Sequence, residues 1–202
     1  MRTIGALIFP GFELLDLYGP LEMFGLLSKE FELSLVAERQ GPVKSNPGVE
    51  SVARFGFADS PDFDVILVPG GPGTRQEVDN AAILDWIARA ADRAGHALSV
   101  CTGSALFARA GILDGRRATT NKAAFDWVAG QGPRVDWVKQ ARWVEDGKFF
   151  TSSGVSAGMD MALGAIAHML GEQTAEQVST FAEYSWHKDR DDDPFARIHG
   201  LV

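Results

Sequence analysis

Cys101 is the only cysteine of the chain, and its position suggests a nucleophile. It follows the apolar run at residues 97–100, and the small residues 102–104 come before a helical pattern that begins at residue 105. A strand that ends on a nucleophile and turns sharply into a helix is a nucleophile elbow. Such a thiol would lie at the carboxyl end of a parallel strand, where a helix N-terminus favours the thiolate. The alternative is a packing role, because free cysteines are often buried as small hydrophobes.

A glycine-rich turn with the sequence VPGGPG occupies residues 68–73, directly after an apolar run. Glycines allow backbone N–H groups to face a ligand, so Gly70 and Gly71 suit a substrate-binding turn or an oxyanion hole. We expect Gly71 N–H and Thr102 N–H to be the two donors. Glycine-rich turns after strands are also common for structural reasons, and the pattern alone leaves that alternative open.

Asp16 is a candidate acid/base because leucines flank it on both sides. Partial removal from water would raise the pKa of its carboxyl group, which suits a group that both donates and accepts a proton. The alternative is an N-cap of the helix that we expect to begin at Pro20. Glu22 is explained more simply by the dipole of that helix, and Glu13 is expected to face solvent.

Histidine is absent from the ten residues that follow Cys101, so a local Cys-His dyad is not available. The chain has four histidines, at positions 96, 168, 187 and 199. We expect each to be a surface or core residue rather than a catalytic base, and His168 to be a hydrogen-bonded core residue. No group of residues has the spacing of metal ligands, so no metal is expected.

The arrangement of apolar runs predicts the elements that position these residues. Nearly continuous apolar runs predict buried strands of a parallel sheet at residues 4–9, 31–37, 64–68 and 97–100. Helices are predicted at residues 20–28, 81–94, 105–110, 123–129, 156–170 and 174–186. Residues 41–57 predict a small antiparallel ribbon at the sheet edge, and residues 141–151 predict a hairpin. The sequence therefore predicts a single doubly wound, flavodoxin-like α/β domain over residues 1–202. The charge run at 188–194 predicts a peripheral, solvated tail.

Composition and charge limit the class of protein. The chain has 202 residues and a formal net charge of −8, which argues against a nucleic-acid partner. One cysteine excludes an internal disulfide. No apolar run approaches the roughly 20 residues that cross a bilayer, and residues 1–3 lead into a strand without the features of a signal peptide. We therefore expect a cytoplasmic protein that contacts no membrane.

Several motifs together resemble the DJ-1/PfpI superfamily, which has the class I glutamine-amidotransferase-like fold, over almost the whole chain. They are FPGF at 9–12 with Asp16, GP at 19–20, VPGG at 68–71, VCTG at 100–103, ATT at 118–120 and TSSGVSAG at 151–158. Cys-Thr-Gly at the elbow with Asp16 upstream is most similar to the isonitrile hydratase branch. The amidase-like domain of some AraC-type regulators shares these motifs.

The resemblance implies a role for individual residues. Cys101 would be the nucleophile, Asp16 its acid/base partner, and Thr102 a neighbour in contact with the substrate or with Asp16. Protease-like members have histidine where this chain has Thr102, which disfavours a peptidase. Many hydratase-like members have a histidine after the Ala-Thr-Thr stretch, where this chain has Asn121 and Lys122.

The activity implied by the resemblance is hydration of an isonitrile to an N-substituted formamide, by a homodimer that acts on a small molecule without a cofactor. Two alternatives remain open. One is a glyoxalase-like or deglycase-like activity on methylglyoxal. The other is a non-enzymatic redox sensor or chaperone-like protein in which Cys101 is oxidised.

Overall fold

The structure is a computed structural model that describes all of residues 1–202. The strands are β1 (Arg2–Leu7), β2 (Phe31–Ala37), β3 (Gly41–Lys44), β4 (Glu50–Ala53), β5 (Phe55–Gly56), β6 (Val65–Val68), β7 (His96–Ser99), β8 (Arg117–Ala118), β9 (Asp136–Trp137), β10 (Trp143–Asp146) and β11 (Phe149–Ser152). The helices are α1 (Leu14–Gly25), α2 (Thr74–Glu77), α3 (Ala81–Arg93), α4 (Gly103–Arg109), α5 (Phe125–Gln131), α6 (Ala157–Leu170), α7 (Glu172–Phe181) and α8 (Phe195–Ile198).

Seven strands form the central sheet in the order β10-β11-β7-β6-β1-β2-β5. All neighbours pair in parallel except β10 and β11, which form an antiparallel hairpin. After β1 the chain forms β2 on one side of it. The later strands β6 and β7 lie on the other side of β1. The strand order therefore reverses between β1 and β6. In open α/β sheets, ligands bind outside the carboxyl ends of the strands at such a point.

The predicted α/β fold class is confirmed. β2 has the predicted bounds, and the strands at β1, β6 and β7 lie within two residues of the predicted ones. Every residue of β6 is buried, as expected for a strand covered on both faces. The predicted ribbon is the antiparallel pair β3 and β4, which forms its own small sheet, and β5 extends the edge of the main sheet beside β2. The two-residue strands β8 and β9 were not predicted, because so short a pairing leaves no pattern in the sequence.

Two groups of helices cover the sheet. Helix α6 packs against α1 and α7, while α4 packs against α2, α3 and α5. Gly19 and Gly158 allow α1 and α6 to approach closely, because a Cβ atom at Gly19 would lie 2.9 Å from Met159 and one at Gly158 would lie 3.2 Å from Pro20. None of the helices combines the length and the apolar character needed to cross a membrane.

Helix α1 corrects one prediction. It begins at Leu14 rather than at Pro20, and Pro20 lies inside the helix. A proline there removes one intrahelical N–H donor, which normally destabilises a helix interior. Burial of Pro20 against α6 and a hydrogen bond from Glu13 N to Gly70 O at 2.9 Å hold the helix in place. As a result Asp16 lies in the first turn of the helix and is not its N-cap.

The segment after α7 is anchored more firmly than predicted. Residues 188–191 are exposed, as expected for a charge run. Asp193, however, is only 1% exposed, and its backbone N–H donates to Gln140 O at 2.8 Å. Upstream, Tyr184 Oη and His187 N both donate to Asp160 Oδ1, at 3.0 and 2.9 Å. The anchored segment places α8 beside the carboxyl ends of the central strands.

Candidate active site

Cys101 has the backbone geometry of a nucleophile elbow. Its φ is +56°, in the left-handed region that non-glycine residues rarely adopt. Four hydrogen bonds hold this conformation. Cys101 N donates to the carbonyl oxygens of Ser152 and Ser153, both at 3.2 Å, and Cys101 O accepts from Ser104 Oγ at 3.0 Å and Thr120 Oγ1 at 2.9 Å. The residue is only 6% exposed, so the thiol lies below the protein surface.

Asp16 is fully buried beside this thiol. Its Oδ2 accepts a hydrogen bond from Gly70 N at 3.0 Å, while its Oδ1 is buried without a hydrogen-bond partner. Burial raises the pKa of Asp16 from 3.8 to about 7, although the Gly70 N–H and the neighbouring Cys101 thiol act in the opposite direction. The carboxyl group can therefore hold or release a proton near neutral pH, as the sequence suggested.

Gly70 lies directly against two of the candidate residues, Asp16 and Thr102. A Cβ atom at this position would lie 2.6 Å from Thr102 N, 2.7 Å from Thr102 Oγ1 and 2.8 Å from Asp16 Oδ2. Contacts this short between heavy atoms cannot form without movement of the backbone. Glycine is therefore required here so that the loop after β6 can contact the turn after β1 and the turn after β7.

Gly71 and Thr102 do not form the expected pair of free donors. Gly71 N–H donates to Thr102 Oγ1 at 3.0 Å, and Thr74 Oγ1 lies 3.0 Å from the same oxygen. The Gly71 N–H is therefore already used to orient the Thr102 side chain. Gly71 has a φ of +122° and a Cβ there would lie 2.6 Å from Gly11 O, so its role in this structure is close backbone packing. Direct substrate binding by Gly71 stays a prediction.

The second donor beside the sulfur is Val155. The backbone N–H groups of Thr102 and Val155 both point to the thiol and lower its pKa. Val155 has a φ of +25°, outside the usual range for a β-branched residue, and it is 37% exposed. The motif at 151–158 was visible in the sequence, but a backbone donor leaves no side-chain signature, so the role of Val155 was missed.

The expectation of an acidic thiol is wrong for this structure. Burial is the largest effect and raises the pKa of Cys101, and the charge of Asp16 raises it further. The two backbone N–H groups do not offset these effects. Two neighbouring buried groups resist being anionic together, so the resting pair carries at most one negative charge.

A pocket of about 280 Å³ opens next to the pair. Its wall includes Leu15, the neighbour of Asp16, and Val155, whose N–H faces the sulfur. Lys122 and His199 also line it, and no carboxylate does. The pocket is large enough for the side group of a small substrate whose reacting atom lies at Cys101.

The histidines lie away from the thiol, with one at the pocket. His96 and His168 pack against each other at 5.4 Å between ring centroids, near the start of β7 and therefore at the opposite end of that strand from Cys101. His168 is paired with Glu145 at 2.9 Å and partly exposed, so the prediction of a core residue is wrong. His199 lines the pocket. Glu22 is exposed on α1 and cannot reach the buried pair.

Comparison with known proteins agrees with this geometry. The model of the DJ-1/PfpI family matches residues 2–168. An isonitrile hydratase of Pseudomonas putida is 38% identical over 184 residues, which are 90% of this chain and 78% of that protein. The structure of a ThiJ/PfpI family protein from Pseudomonas syringae matches with a TM-score of 0.84 and 34% identity, over 96% of this chain and 76% of that one.

Transcription regulators are also among the relatives. The HTH-type transcriptional regulator CdhR of Pseudomonas aeruginosa is 30% identical over 178 residues, which are 86% of this chain. The chain spans about half of that regulator, since the match covers 52% of its length. The same architecture is therefore found in enzymes and in parts of regulators, and the chemistry must be argued from the site.

Proposed function

The chain belongs to the DJ-1/PfpI family, and we propose that it is a cysteine-dependent, isonitrile hydratase-like enzyme that converts an isonitrile and water into an N-substituted formamide. The observation that carries the proposal is the buried pair of Cys101 and Asp16, with the pKa of Asp16 raised to about 7. Hydration needs a nucleophile and a group that exchanges protons at neutral pH. Cys101 and Asp16 supply these two functions. The similarity to the hydratase of Pseudomonas putida supports the choice of substrate.

In the first step, Cys101 Sγ attacks the terminal carbon of the isonitrile as the thiol proton passes to the Asp16 carboxylate. Asp16 then delivers this proton to the same carbon. One S–C bond and one C–H bond form, and the product is a thioimidate in which carbon is doubly bonded to nitrogen. Covalent catalysis of this kind replaces one difficult step with two easier ones.

In the second step, Asp16 takes a proton from water, and the resulting hydroxide attacks the thioimidate carbon. Asp16 gives this proton to the nitrogen. The C–S bond then breaks as the added hydroxyl group loses its proton, which Asp16 transfers to the departing sulfur, so the formamide is released and the thiol is restored. The N–H groups of Thr102 and Val155 favour the negative charge that sulfur carries during attack and departure. The whole cycle consumes one water molecule and returns Cys101 and Asp16 to their starting protonation states.

The state of the thiol weighs against the redox-sensor alternative. Peroxide sensors depend on an exposed cysteine of low pKa. Here burial and Asp16 raise the pKa of Cys101, and the residue is only 6% exposed. In the proposed mechanism the thiol reacts as Asp16 accepts its proton. Such a thiol is better suited to attack an electrophile bound in the pocket than to be oxidised by peroxide from solution.

The test is turnover of cyclohexyl isonitrile and a short alkyl isonitrile, with formamide measured by chromatography. We expect the wild-type protein to form the formamide and Cys101→Ala to form none above background. Methylglyoxal serves as the comparison substrate in the same assay. Failure of the wild type on every isonitrile would remove the proposed function, and formation of lactate from methylglyoxal would favour the glyoxalase-like alternative.

A further inference from the structure

The pocket beside the reactive pair is lined by residues that adjoin Cys101 and Asp16 in the chain or contact them. Leu15 precedes Asp16 in the chain and lines the pocket. Ser153 also lines it, and its carbonyl oxygen holds Cys101 N at 3.2 Å. Val155 contributes both a donor to the sulfur and part of the wall. The side group of a substrate held at Cys101 would therefore contact this wall.

Lys122 is an unusual member of the wall because it is only 3% exposed. Its Nζ donates to Thr119 Oγ1 at 2.8 Å and to Ala141 O at 2.6 Å. Both acceptors are neutral, and an ammonium group has three donors, so one donor has no hydrogen-bond acceptor. The Phe125 ring centroid lies 6.0 Å from Lys122 Nζ. Lys122 forms no salt bridge. The charge of this ammonium group therefore has no direct counter-ion in the protein.

The surrounding charges do not replace that counter-ion. Burial lowers the pKa of Lys122 to about 8, and the nearby Arg142 acts in the same direction. Asp193 acts in the opposite direction and more strongly than Arg142, but it forms no ion pair with the lysine. Its Oδ1 accepts from Phe195 N at 3.1 Å, and its Oδ2 is buried without a hydrogen-bond partner. Buried charges are normally paired, because an unpaired charge is costly to remove from water. An anion in the pocket would offset the cost of burying this ammonium group.

We propose that the pocket binds a carboxylate, so that the substrate is an isonitrile with a carboxylate at the end remote from its reacting carbon. This inference rests on the proposed hydratase function. Lys122 would pair with the carboxylate, and Asn121, Ser156 and His199 offer further polar groups along the wall. Leu15 and Phe195 lie on the same wall and would cover the hydrocarbon part that joins the two ends. No carboxylate of the protein lines the pocket to repel such a substrate.

The activity test compares 3-isocyanopropanoate with its methyl ester, which differs by removal of the negative charge. We expect the wild-type protein to prefer the acid by about tenfold or more in kcat/KM, mostly through KM, as a charge-assisted pair implies. Lys122→Met keeps the length of the side chain and removes the ammonium group. This variant should lose most of the preference for the acid over the ester.

Lys148→Met is the matched control. Lys148 Nζ also donates to backbone carbonyls, those of Ala91 and Ala94, but it lines none of the pockets near the site. The control should keep the preference for the acid. Equal use of acid and ester by the wild type, with turnover of both, would overturn the carboxylate pocket and leave the hydratase function in place.

A binding measurement separates the two proposals. Calorimetric titration of the wild type with N-formyl-β-alanine, the product of that acid, requires no turnover. Binding that is lost in Lys122→Met and retained in Lys148→Met supports the carboxylate site even if no isonitrile is hydrated, in which case only the hydratase function fails. Absence of both binding and acid preference overturns the inference.

Discussion

At the scale of single residues, the chemistry depends on how one proton is shared by two buried groups. A cysteine enzyme commonly pairs its thiol with a histidine, which supplies a base of pKa near neutrality. This chain has no histidine beside Cys101. Burial instead raises the pKa of Asp16 to about 7, which gives a carboxyl group the titration range of an imidazole. The same burial raises the pKa of Cys101 and favours the protonated thiol, so in the proposed mechanism the carboxylate and the thiol act as one unit.

Asp16→Asn is the most direct test of that unit. Asparagine has nearly the same shape and can still accept the Gly70 N–H, but it cannot exchange a proton. We expect kcat on the best isonitrile to fall by about 10²–10⁴-fold, the usual contribution of general acid–base catalysis. Cys101→Ser should be at least as damaging. The double variant should be no worse than the worse single variant, because both residues act in the same steps.

Glu22→Gln is the control for this experiment. It makes the same chemical change on the same helix, at a residue that is exposed. Its turnover should match that of the wild type. Near-normal turnover by Asp16→Asn would show that Asp16 is structural and would leave the thiol without an acid/base partner.

At the scale of elements, the parts that the sequence predicted well are those with a strong local pattern. The apolar runs that became β1, β2, β6 and β7 predicted the central parallel sheet, since strands covered on both faces are apolar along their whole length. The order of these strands then brings the turns after β1, β6 and β7 to one edge. The proximity of Asp16, Gly70 and Cys101 follows from that order.

Other features of the site depend on tertiary contacts, which local patterns in the sequence do not predict. Helix α1 begins six residues before Pro20 because tertiary packing against α6 stabilises a proline inside the helix. The donor at Val155 is a backbone N–H group in a segment that is distant from Cys101 in the sequence. The protonation of Cys101 depends on how far the thiol lies below the surface, because burial raises its pKa more than the backbone N–H groups of Thr102 and Val155 lower it.

Gly70→Ala tests whether these turns must meet. The added Cβ would lie 2.6 Å from Thr102 N and 2.8 Å from Asp16 Oδ2, so the loop after β6 must move away from both. We expect a loss of activity of about tenfold or more, and a decrease in the free energy of unfolding of roughly 1–3 kcal/mol. Turnover and urea unfolding measure the two effects.

Gly130→Ala provides the comparison, because this glycine lies in α5 with no atom near its added Cβ. Alanine favours a helix interior by roughly 0.5–1 kcal/mol over glycine, so this variant should be slightly more stable and fully active. If Gly70→Ala were as active as Gly130→Ala, close approach of the three turns would not be needed for catalysis.

At the scale of the whole molecule, the C-terminal segment belongs to the site although it is remote in sequence. Asp160 on α6 is fully buried and pairs with Arg142, with 2.7 Å between Arg142 Nε and Asp160 Oδ2. The same carboxylate holds Tyr184 and the backbone of His187. This network fixes the segment that leads to α8, and through it the positions of Phe195 and His199 in the pocket wall. The charge run that the sequence predicts to be a peripheral, solvated tail is thus followed by residues that line the pocket.

The free energy of unfolding of the whole protein should also depend on whether Asp16 is protonated. In the folded protein Asp16 keeps its proton up to about pH 7, whereas the unfolded chain releases it near pH 3.8. Between these values the folded state binds more protons, so this group lowers the free energy of unfolding as pH rises, by at most about 4 kcal/mol. The contribution of Asp16 to the free energy of unfolding is fully present below pH 3.8, and it has been lost once the pH has risen through about 7.

Asp16→Asn should therefore be less active but more stable than the wild type. Urea unfolding would show similar stabilities for the two proteins near pH 4 and an advantage of roughly 2–4 kcal/mol for the variant at pH 8. The gap should open between these pH values, because only the wild type must bury a carboxylate there. Glu22→Gln should show no pH-dependent gap. A constant difference for Asp16→Asn across the whole range would mean that the folded carboxyl group titrates normally, and the proposed exchange of protons with Cys101 near neutral pH would lose its physical basis.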